Sequence, residues 1–181
     1  MQPSSPGPGH GPGGPSGKTS NMEELSATAS RFAEELRRRG VSSTVIEMSD
    51  STRSAAEAAA AIGCDVSQIV KSLVFRSVSR DQPVLVLASG ADRVDEDRLT
   101  ELVGPVERAR ADFVRARTGF AIGGVPPVGH TEPLETLMDE HLLDYDVVWA
   151  AAGTPRAVFS IGPTELVELT SARVVSVASA H

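Results

Sequence analysis

Two apolar runs on either side of a short polar turn constrain the fold of this chain more than any other feature. Residues 69–78 read IVKSLVFRSV and residues 82–90 read QPVLVLASG, with Arg80 and Asp81 between them. Short runs rich in Val, Leu and Phe, bounded by turn residues, are typical of buried β-strands. The short connection predicts that the two strands pair antiparallel.

Helical patterns surround this strand pair. Ser54 lies three residues before Glu57 and predicts a capped helix that ends at Gly63. Apolar residues at three- and four-residue spacing, with polar caps and glycine stops, predict the other helices. These are 22–39, 95–104, 162–171 with Thr164 as a possible cap, and a short helix within the otherwise irregular segment 105–122; 133–144 is expected to be a short helix or a turn.

The remaining apolar segments predict strands at 41–48, 146–153, 156–162 and 172–178. With the central pair they amount to about six or seven strands, which are mixed with helices rather than strictly alternating with them. This order predicts an α/β (α+β) fold, a single domain with a mixed, partly antiparallel sheet of about six or seven strands surrounded by helices.

The first 21 residues differ in composition from the rest. Residues 1–21 consist mainly of Pro, Gly and Ser and contain no large apolar side chain after Met1. Such a segment buries too little surface to offset the entropy lost on ordering. We therefore expect a disordered tail at 1–21 and a folded domain at 22–181.

Charge and cysteine content exclude several classes of protein. The formal net charge of −7 argues against a surface that grips long stretches of DNA or RNA, so any nucleic-acid contact must be local. The single cysteine, Cys64, excludes an internal disulfide framework and suits the reducing cytoplasm. No apolar run reaches the ~20 residues that span a membrane, and the N-terminus lacks the pattern of a secretion signal.

Lysine is almost absent from the chain, which draws attention to Lys71. Of the 17 basic residues only Lys18 and Lys71 are lysines, and Lys18 lies in the expected tail. Strand alternation places Lys71 on one face with Leu73 and Phe75, while the opposite face is also apolar, so the pattern leaves open which face is the core. Three interpretations stay open: an amine that reaches solvent, an amine that binds a phosphate or ribose oxygen, and an acid or base with a lowered pKa.

The segment GFAIGGVPPVGH, residues 119–130, is the second candidate site. Gly123 and Gly124 permit close approach of the backbone to a ligand, and the two prolines that follow stiffen the loop. The N–H groups of Gly123, Gly124 and Val125 are candidates for a donor cluster that faces a carbonyl or oxyanion. An ordinary tight surface loop is the alternative. His130, at its end, is the histidine nearest to a proposed site.

The chain lacks a Walker-type loop, a GxSxG motif and any Cys/His cluster with metal-ligand spacing. We therefore expect neither a metal nor another cofactor. Cys64 has no histidine near it in sequence and is expected to be a small packed or half-exposed residue. Trp149, in an apolar run, is expected in the core.

Four segments in series resemble the YbaK/EbsC family, the free-standing relatives of the prolyl-tRNA synthetase editing domain. They are AAEAAAAIGCDVSQIVKSLVF, ASGADRVDEDRLTELVG, RTGFAIGGVPPVGH and DVVWAAAGTPRAVFSI. The resemblance extends over about residues 25–178. It implies a deacylase that acts in trans on the ester between a wrong amino acid and the 3′-terminal adenosine of a tRNA.

The resemblance also implies the roles of particular residues. Lys71 corresponds to the family lysine that binds the terminal adenosine and its phosphate, and the backbone of Gly123 and Gly124 to the element that holds the substrate carbonyl. Water or a group of the substrate attacks the ester, without a metal or a protein nucleophile. The substrate-binding residues implied or expected are Val125, Pro127, His130, Gly153 and Thr154. Pro126 departs from the family pattern, in which a small residue such as serine often precedes the motif proline.

The expected partner is the acceptor end of an aminoacyl-tRNA, and an aminoacyl-tRNA synthetase is a second candidate partner. A small cationic patch would suffice for such a contact, with candidates Lys71, Arg76, Arg93, Arg115, Arg117 and Arg156. Two alternatives remain at this point. One is a non-catalytic module of the same fold that binds tRNA or a synthetase. The departure from the family pattern at Pro126 is the feature that supports this alternative. The other is a hydrolase or binding protein for a different small acyl or nucleotide ligand.

Overall fold

The computed structural model describes residues 25–49 and 54–179, which form five helices and two β-sheets. The helices are α1 (Ala27–Arg38), α2 (Ala55–Ile62), α3 (Glu96–Val103), α4 (Ala111–Thr118) and α5 (Pro163–Thr170). The strands are β1 (Val45–Glu47), β2 (Val70–Ser77), β3 (Pro83–Ser89), β4 (Val106–Arg108), β5 (Glu135–Asp139), β6 (Val148–Ala151), β7 (Ala157–Ile161) and β8 (Arg173–Val175). Two 3₁₀ helices cover Val66–Gln68 and Glu140–Asp144. The tail predicted at 1–21 lies outside the described residues.

The larger sheet has five strands in the order β4-β2-β3-β5-β8. Strands β2 and β3 pair antiparallel, as the two apolar runs predict, and Lys71 lies opposite Ala88. Strand β5 joins β3 in parallel, and β8 joins β5 in parallel. The mixed, partly antiparallel sheet is therefore confirmed.

A second sheet of three antiparallel strands, β1-β7-β6, accounts for the rest of the strand prediction. Strands β6 and β7 form a hairpin of their own and take β1 as third strand. In the part of the chain that the structure describes, an isolated parallel bridge joins Trp149 of this small sheet to Ile69, the residue before β2. The expected single sheet of six or seven strands is thus two sheets with eight strands in the described ranges.

Both faces of β2 are covered, which answers the question that strand alternation leaves open. Val70 and Val74 point into the main core, which also contains Phe32 of α1 and Phe159 of β7. On the opposite face Phe75 belongs to a second cluster with Leu99 of α3. Lys71 lies on this second face, near the start of β2, and is half-buried.

The segment 133–144 corrects the prediction of a short helix or turn. Strand β5 occupies its first half, because four consecutive residues pair with the buried strand β3. A 3₁₀ helix follows, and the Asp139 carboxylate caps it by accepting the backbone N–H of His141. Alternation within β5 is weak because the strand is buried on both faces, so its sequence does not show the period-two pattern.

Helix ends follow the sequence signals except at the starts of α1 and α5. The first helix, predicted from residue 22, begins at Ala27 because Ser26 is its N-cap and accepts the N–H of Ala29. Ser54 caps α2 through the N–H of Glu57, and Gly63 ends the helix in the left-handed conformation, both as predicted. Helix α5 begins one residue earlier than its predicted cap Thr164: Gly162 is the N-cap and Pro163 is the first helical residue. Over the two described ranges, no helix is both long and apolar enough to pass through a bilayer.

Candidate active site

A cavity of about 350 Å³ opens where the larger sheet meets the small one. Its volume is within the range of small-molecule sites. We call it the lysine cavity; the residues that matter for its chemistry are Lys71, Ser72, Ile122, Gly123, Trp149 and Thr154. Its walls come from β2, the start of α2, strands β6 and β7 with their turn, and residues 119–130, which we call the glycine–proline loop. Segments that are far apart in sequence therefore converge on Lys71.

Lys71 is half-buried, and its amine is held in place. The Nζ atom donates a hydrogen bond to the backbone carbonyl of Asp92 in the loop after β3. Burial lowers the pKa of Lys71, the negative charge of Asp92 opposes this shift, and Arg108 and Arg93 add to it. The amine thus occupies a defined and partly dehydrated position, where it is a suitable donor for a phosphate or ribose oxygen.

Ser72, the next residue along β2, has an unsatisfied hydroxyl. Within the described part of the chain its Oγ is the buried side-chain polar atom for which no hydrogen-bond partner is found. Ser72 also lines the lysine cavity. A buried hydroxyl without a partner is costly in the free protein, so a ligand group that pairs with it would bind favourably. The sequence contains no signal for this, because a serine in a strand is common.

The glycine pair forms a tight turn in which its two members have different roles. The N–H of Gly124 donates to the carbonyl of Ala121 at 3.0 Å, which closes a β-turn. Gly123 has a φ of +88°, the left-handed conformation that a type II turn requires at its third position. The predicted cluster of three N–H donors is therefore wrong for Gly124, whose donor is used within the turn. Gly123 is exposed and lines the cavity, and its N–H donates to none of the described residues.

Gly124 makes the loop pack directly against the turn between β6 and β7. A Cβ on Gly124 would lie 2.8 Å from the backbone of Thr154, a distance that a side chain cannot occupy. The Thr154 hydroxyl accepts the N–H groups of Arg156 and Ala157, at 3.2 and 3.1 Å, and so shapes that turn. Thr154 lines the cavity, as the prediction for this turn requires. Gly153, which is also predicted to bind substrate, does not line the cavity, and its φ is +104°.

The other predicted substrate-binding residues belong to the same loop but do not line the lysine cavity. Val125 is buried in the main core, and Pro127 is buried as well. His130 does not line the lysine cavity: its Nε2 donates to the Pro126 carbonyl at 2.6 Å, and burial lowers its pKa. These three residues hold the loop from within the protein. Trp149, expected in the core, is half-buried and forms part of the cavity wall.

A cluster of Asp92, Asp139 and His141 lies next to Lys71. The sequence analysis did not predict this cluster. His141 Nδ1 donates to the Asp92 carboxylate at 2.8 Å, which raises the pKa of His141. Asp139, 1% exposed, accepts the backbone N–H groups of Val177 and Ala178. One ligand atom from each member lies within 4.8 Å of the others. Hydrogen bonds within the protein account for this geometry, and the cluster fixes the loop whose carbonyl holds Lys71.

The fold and the cavity define a class of protein: a small α/β domain with a cavity at the junction of two sheets, lined by a strand lysine and a glycine turn. The family model of the aminoacyl-tRNA editing domain matches residues 49–169. The chain belongs to this family, within its YbaK/EbsC members.

Individual relatives agree with this assignment. The chain is 32% identical over 131 residues to the "Uncharacterized protein YwhH" of Bacillus subtilis (strain 168), covering 72% of this chain and 83% of the relative. It is 25% identical over 126 residues to the "Putative Cys-tRNA(Pro)/Cys-tRNA(Cys) deacylase EbsC" of Enterococcus faecalis (strain ATCC 700802 / V583), covering 68% and 76%. A solved structure of "a putative trans-editing enzyme for prolyl tRNA synthetase" superposes with a TM-score of 0.82 at 49% identity, covering 86% of this chain and 99% of that one.

Proposed function

We propose that this protein is a trans-editing aminoacyl-tRNA deacylase, which acts in the cytoplasm on a small amino acid attached to the wrong tRNA. The observation that carries the proposal is that Lys71 and Gly123 both line the walls of one cavity. The family assignment and the names of the relatives support the same reaction class.

In the proposed reaction, the Lys71 amine binds a phosphate or ribose oxygen of the terminal adenosine. The Gly123 N–H faces the ester carbonyl, whose oxygen gains negative charge as the carbonyl carbon becomes tetrahedral. A water oxygen bonds to that carbon, the bond to the ribose oxygen breaks, and one proton of that water passes to the ribose oxygen. The products are the free amino acid and a tRNA with its hydroxyl restored. Ile122 and Trp149 contribute apolar walls, which suit a small uncharged side chain.

The direct test is a deacylation assay with purified protein and a panel of charged tRNAs. The panel contains alanyl, seryl, cysteinyl and threonyl esters on mismatched tRNAs, with correctly charged tRNAs as controls. We expect release from at least one mismatched ester well above spontaneous hydrolysis. Binding without release would support the non-catalytic module instead. Thermal stabilisation by a different acyl or nucleotide ligand, with no effect of tRNA, would support the other alternative, a hydrolase or binding protein for that ligand.

Two substitutions at Lys71 separate charge from shape. We expect Lys71→Met to lower kcat/KM by about 10²–10³-fold, because it removes an electrostatic donor at the reaction site. Lys71→Arg keeps the charge but replaces the compact amine, which donates to the Asp92 carbonyl, with a longer planar fork of different geometry. We expect a loss there too. Full activity of Lys71→Arg would show that the position requires only a positive charge.

A further inference from the structure

A second concavity lies along α1, on the other side of the glycine–proline loop from the lysine cavity. It has a volume of about 440 Å³, and its walls are one face of α1 and the chain on both sides of the loop. We call it the arginine groove because Arg31, Arg38 and Arg39 line it. The α1 residues that line it extend from 28 to 39, a distance of roughly 16 Å at 1.5 Å per residue.

The arginine groove carries a local excess of positive charge in an acidic chain. Glu35 is the acidic residue on its walls, and it pairs with Arg39 at 2.8 Å and Arg38 at 3.5 Å. Arg31 forms no ion pair with any residue of the described ranges. Three cations against one anion contrast with the formal net charge of −7 for the whole chain. The groove therefore attracts a polyanion that most of this protein repels.

The groove and the lysine cavity share a wall. Phe120 and Thr28 line the groove, and both approach Gly153, at 3.3 and 3.1 Å from the position of a Cβ on that glycine. The next residue, Thr154, lines the lysine cavity. A nucleic-acid strand that extends from the lysine cavity across this turn would therefore reach the arginine groove. Phe120 is half-buried at the junction, where its ring forms a T-shaped contact with the His130 ring at 6.4 Å between centroids.

We propose that the arginine groove binds the sugar–phosphate backbone of the tRNA acceptor strand just upstream of the aminoacylated adenosine. This inference rests on the proposed function, since it assigns the lysine cavity to the terminal adenosine. Arginine forks match phosphate geometry. At about 3.4 Å per stacked nucleotide, the groove length accommodates roughly five nucleotides. Among the arginines expected from the sequence to contact tRNA, none belongs to this groove.

Charge reversal on α1 tests the proposal, and the helix provides its own control. Arg31→Glu and Arg38→Glu remove cations from the groove. Arg37→Glu changes the net charge equally and lies in the same last helical turn as Arg38, but Arg37 is exposed outside the groove. We measure the affinity for uncharged tRNA as a function of salt concentration. Each groove variant should weaken binding about tenfold and reduce the slope of log K against log salt by about 0.7–0.9 per lost phosphate contact.

Failure of this proposal is distinguishable from failure of the proposed function. Uncharged tRNA cannot be deacylated, so the binding result stands whatever the enzyme assay shows. If the protein hydrolyses a charged tRNA, the groove variants should lower the ratio of kcat/KM for that tRNA to kcat/KM for the aminoacylated adenosine alone. The proposal would be overturned if Arg37→Glu weakened tRNA binding as much as Arg38→Glu does. It would also be overturned if a polyglutamate peptide of matched charge competed for binding as well as tRNA does.

Discussion

At the scale of single residues, the two adjacent glycines of the loop make different demands on the chain. Gly124 is constrained by space, because a Cβ would lie 2.8 Å from the Thr154 backbone. Gly123 is constrained by its positive φ, while a Cβ there would meet nothing closer than Pro155 at 3.9 Å. The first constraint concerns the position of the whole loop, and the second only the backbone of the turn.

We therefore predict that Gly124→Ala damages the site more than Gly123→Ala does. Gly124→Ala must push the loop away from the Thr154 turn, at a cost of about 1–3 kcal/mol in the free energy of unfolding and a loss of activity of at least tenfold. Gly123→Ala costs about 1–2 kcal/mol from the left-handed backbone but keeps the loop in contact with the turn. Denaturant unfolding and kcat/KM for both variants decide the matter. Wild-type activity in Gly124→Ala would contradict the packing role.

Ser72 offers the opposite case, a polar group whose removal should not harm the free protein. Ser72→Ala removes a buried hydroxyl that has no partner, so we expect the free energy of unfolding to stay equal or to rise by about 1 kcal/mol. In the same variant KM should rise if the hydroxyl pairs with the substrate. Ser89→Ala is the matched control: the Ser89 hydroxyl donates to the Ser67 carbonyl at 2.8 Å, and its loss should cost about 1–3 kcal/mol. A destabilised Ser72→Ala would show that the hydroxyl has a partner after all.

At the scale of elements, the sequence predicts segments with strong local signals and fails where tertiary pairing decides. The hairpin of β2 and β3 is predictable because two apolar runs flank a short turn, and α2 because Ser54 and Gly63 mark its ends. Strand β5 is not predictable in the same way. Its sequence ETLMD has no period, and it becomes a strand because β3 on one side and β8 on the other complete its hydrogen bonds.

The 3₁₀ helix after β5 links the stability of the protein to pH through His141. The pKa of His141 is raised by its hydrogen bond to Asp92, with Asp139 and Asp144 acting in the same direction and desolvation opposing them. A raised folded-state pKa means that the contribution to stability is complete below about pH 6.5 and is lost as the pH rises through the folded value. We predict that His141→Gln removes this decline from a plot of unfolding free energy against pH. The change in slope stays below about 1.4 kcal/mol per pH unit, the value for one proton.

His130 provides the control of opposite sign. Burial lowers its pKa, Arg39 adds to the shift, and the hydrogen bond to the Pro126 carbonyl opposes it. Between its folded pKa and about 6.5 the unfolded chain binds the extra proton, so His130 makes the protein less stable as the pH falls through that window. His130→Gln should therefore flatten the acidic side of the curve and leave the part above pH 6.5 unaltered. Identical curves for both variants would contradict these assignments.

At the scale of the whole molecule, the candidate site shows what a linear pattern can and cannot provide. Lys71 is predictable as a site residue because lysine is otherwise nearly absent, and Gly123 because paired glycines before paired prolines are unusual. Asp92 and His141 are not predictable, because each is an ordinary residue until β3, β5 and the 3₁₀ helix bring them together. The hydrogen bond from the Gly124 N–H to the Ala121 carbonyl is equally unpredictable from the sequence, since it depends on the conformation of the turn.

The main core contains residues of both sheets, which predicts that they unfold together. Val70, Leu85 and Met138 of the larger sheet pack in one cluster with Val148 and Phe159 of the small sheet. Trp149 is the single tryptophan, and it lies at the bridge between the sheets, so its fluorescence reports their junction. Circular dichroism reports the secondary structure of both sheets. We expect the two signals to follow one transition with the same midpoint in urea, as a two-state domain requires.

Ligand binding should shift that common transition, because the lysine cavity is formed by both sheets. A ligand that binds only the folded state adds a stability of about 2.7 kcal/mol at one hundred times its Kd. An adenosine analogue that carries an amino acid through an amide in place of the ester should therefore raise both midpoints equally, and Lys71→Met should abolish the increase. A tryptophan transition that precedes the circular dichroism transition would show instead that the small sheet opens by itself, and the cavity would then form only when the two sheets are docked.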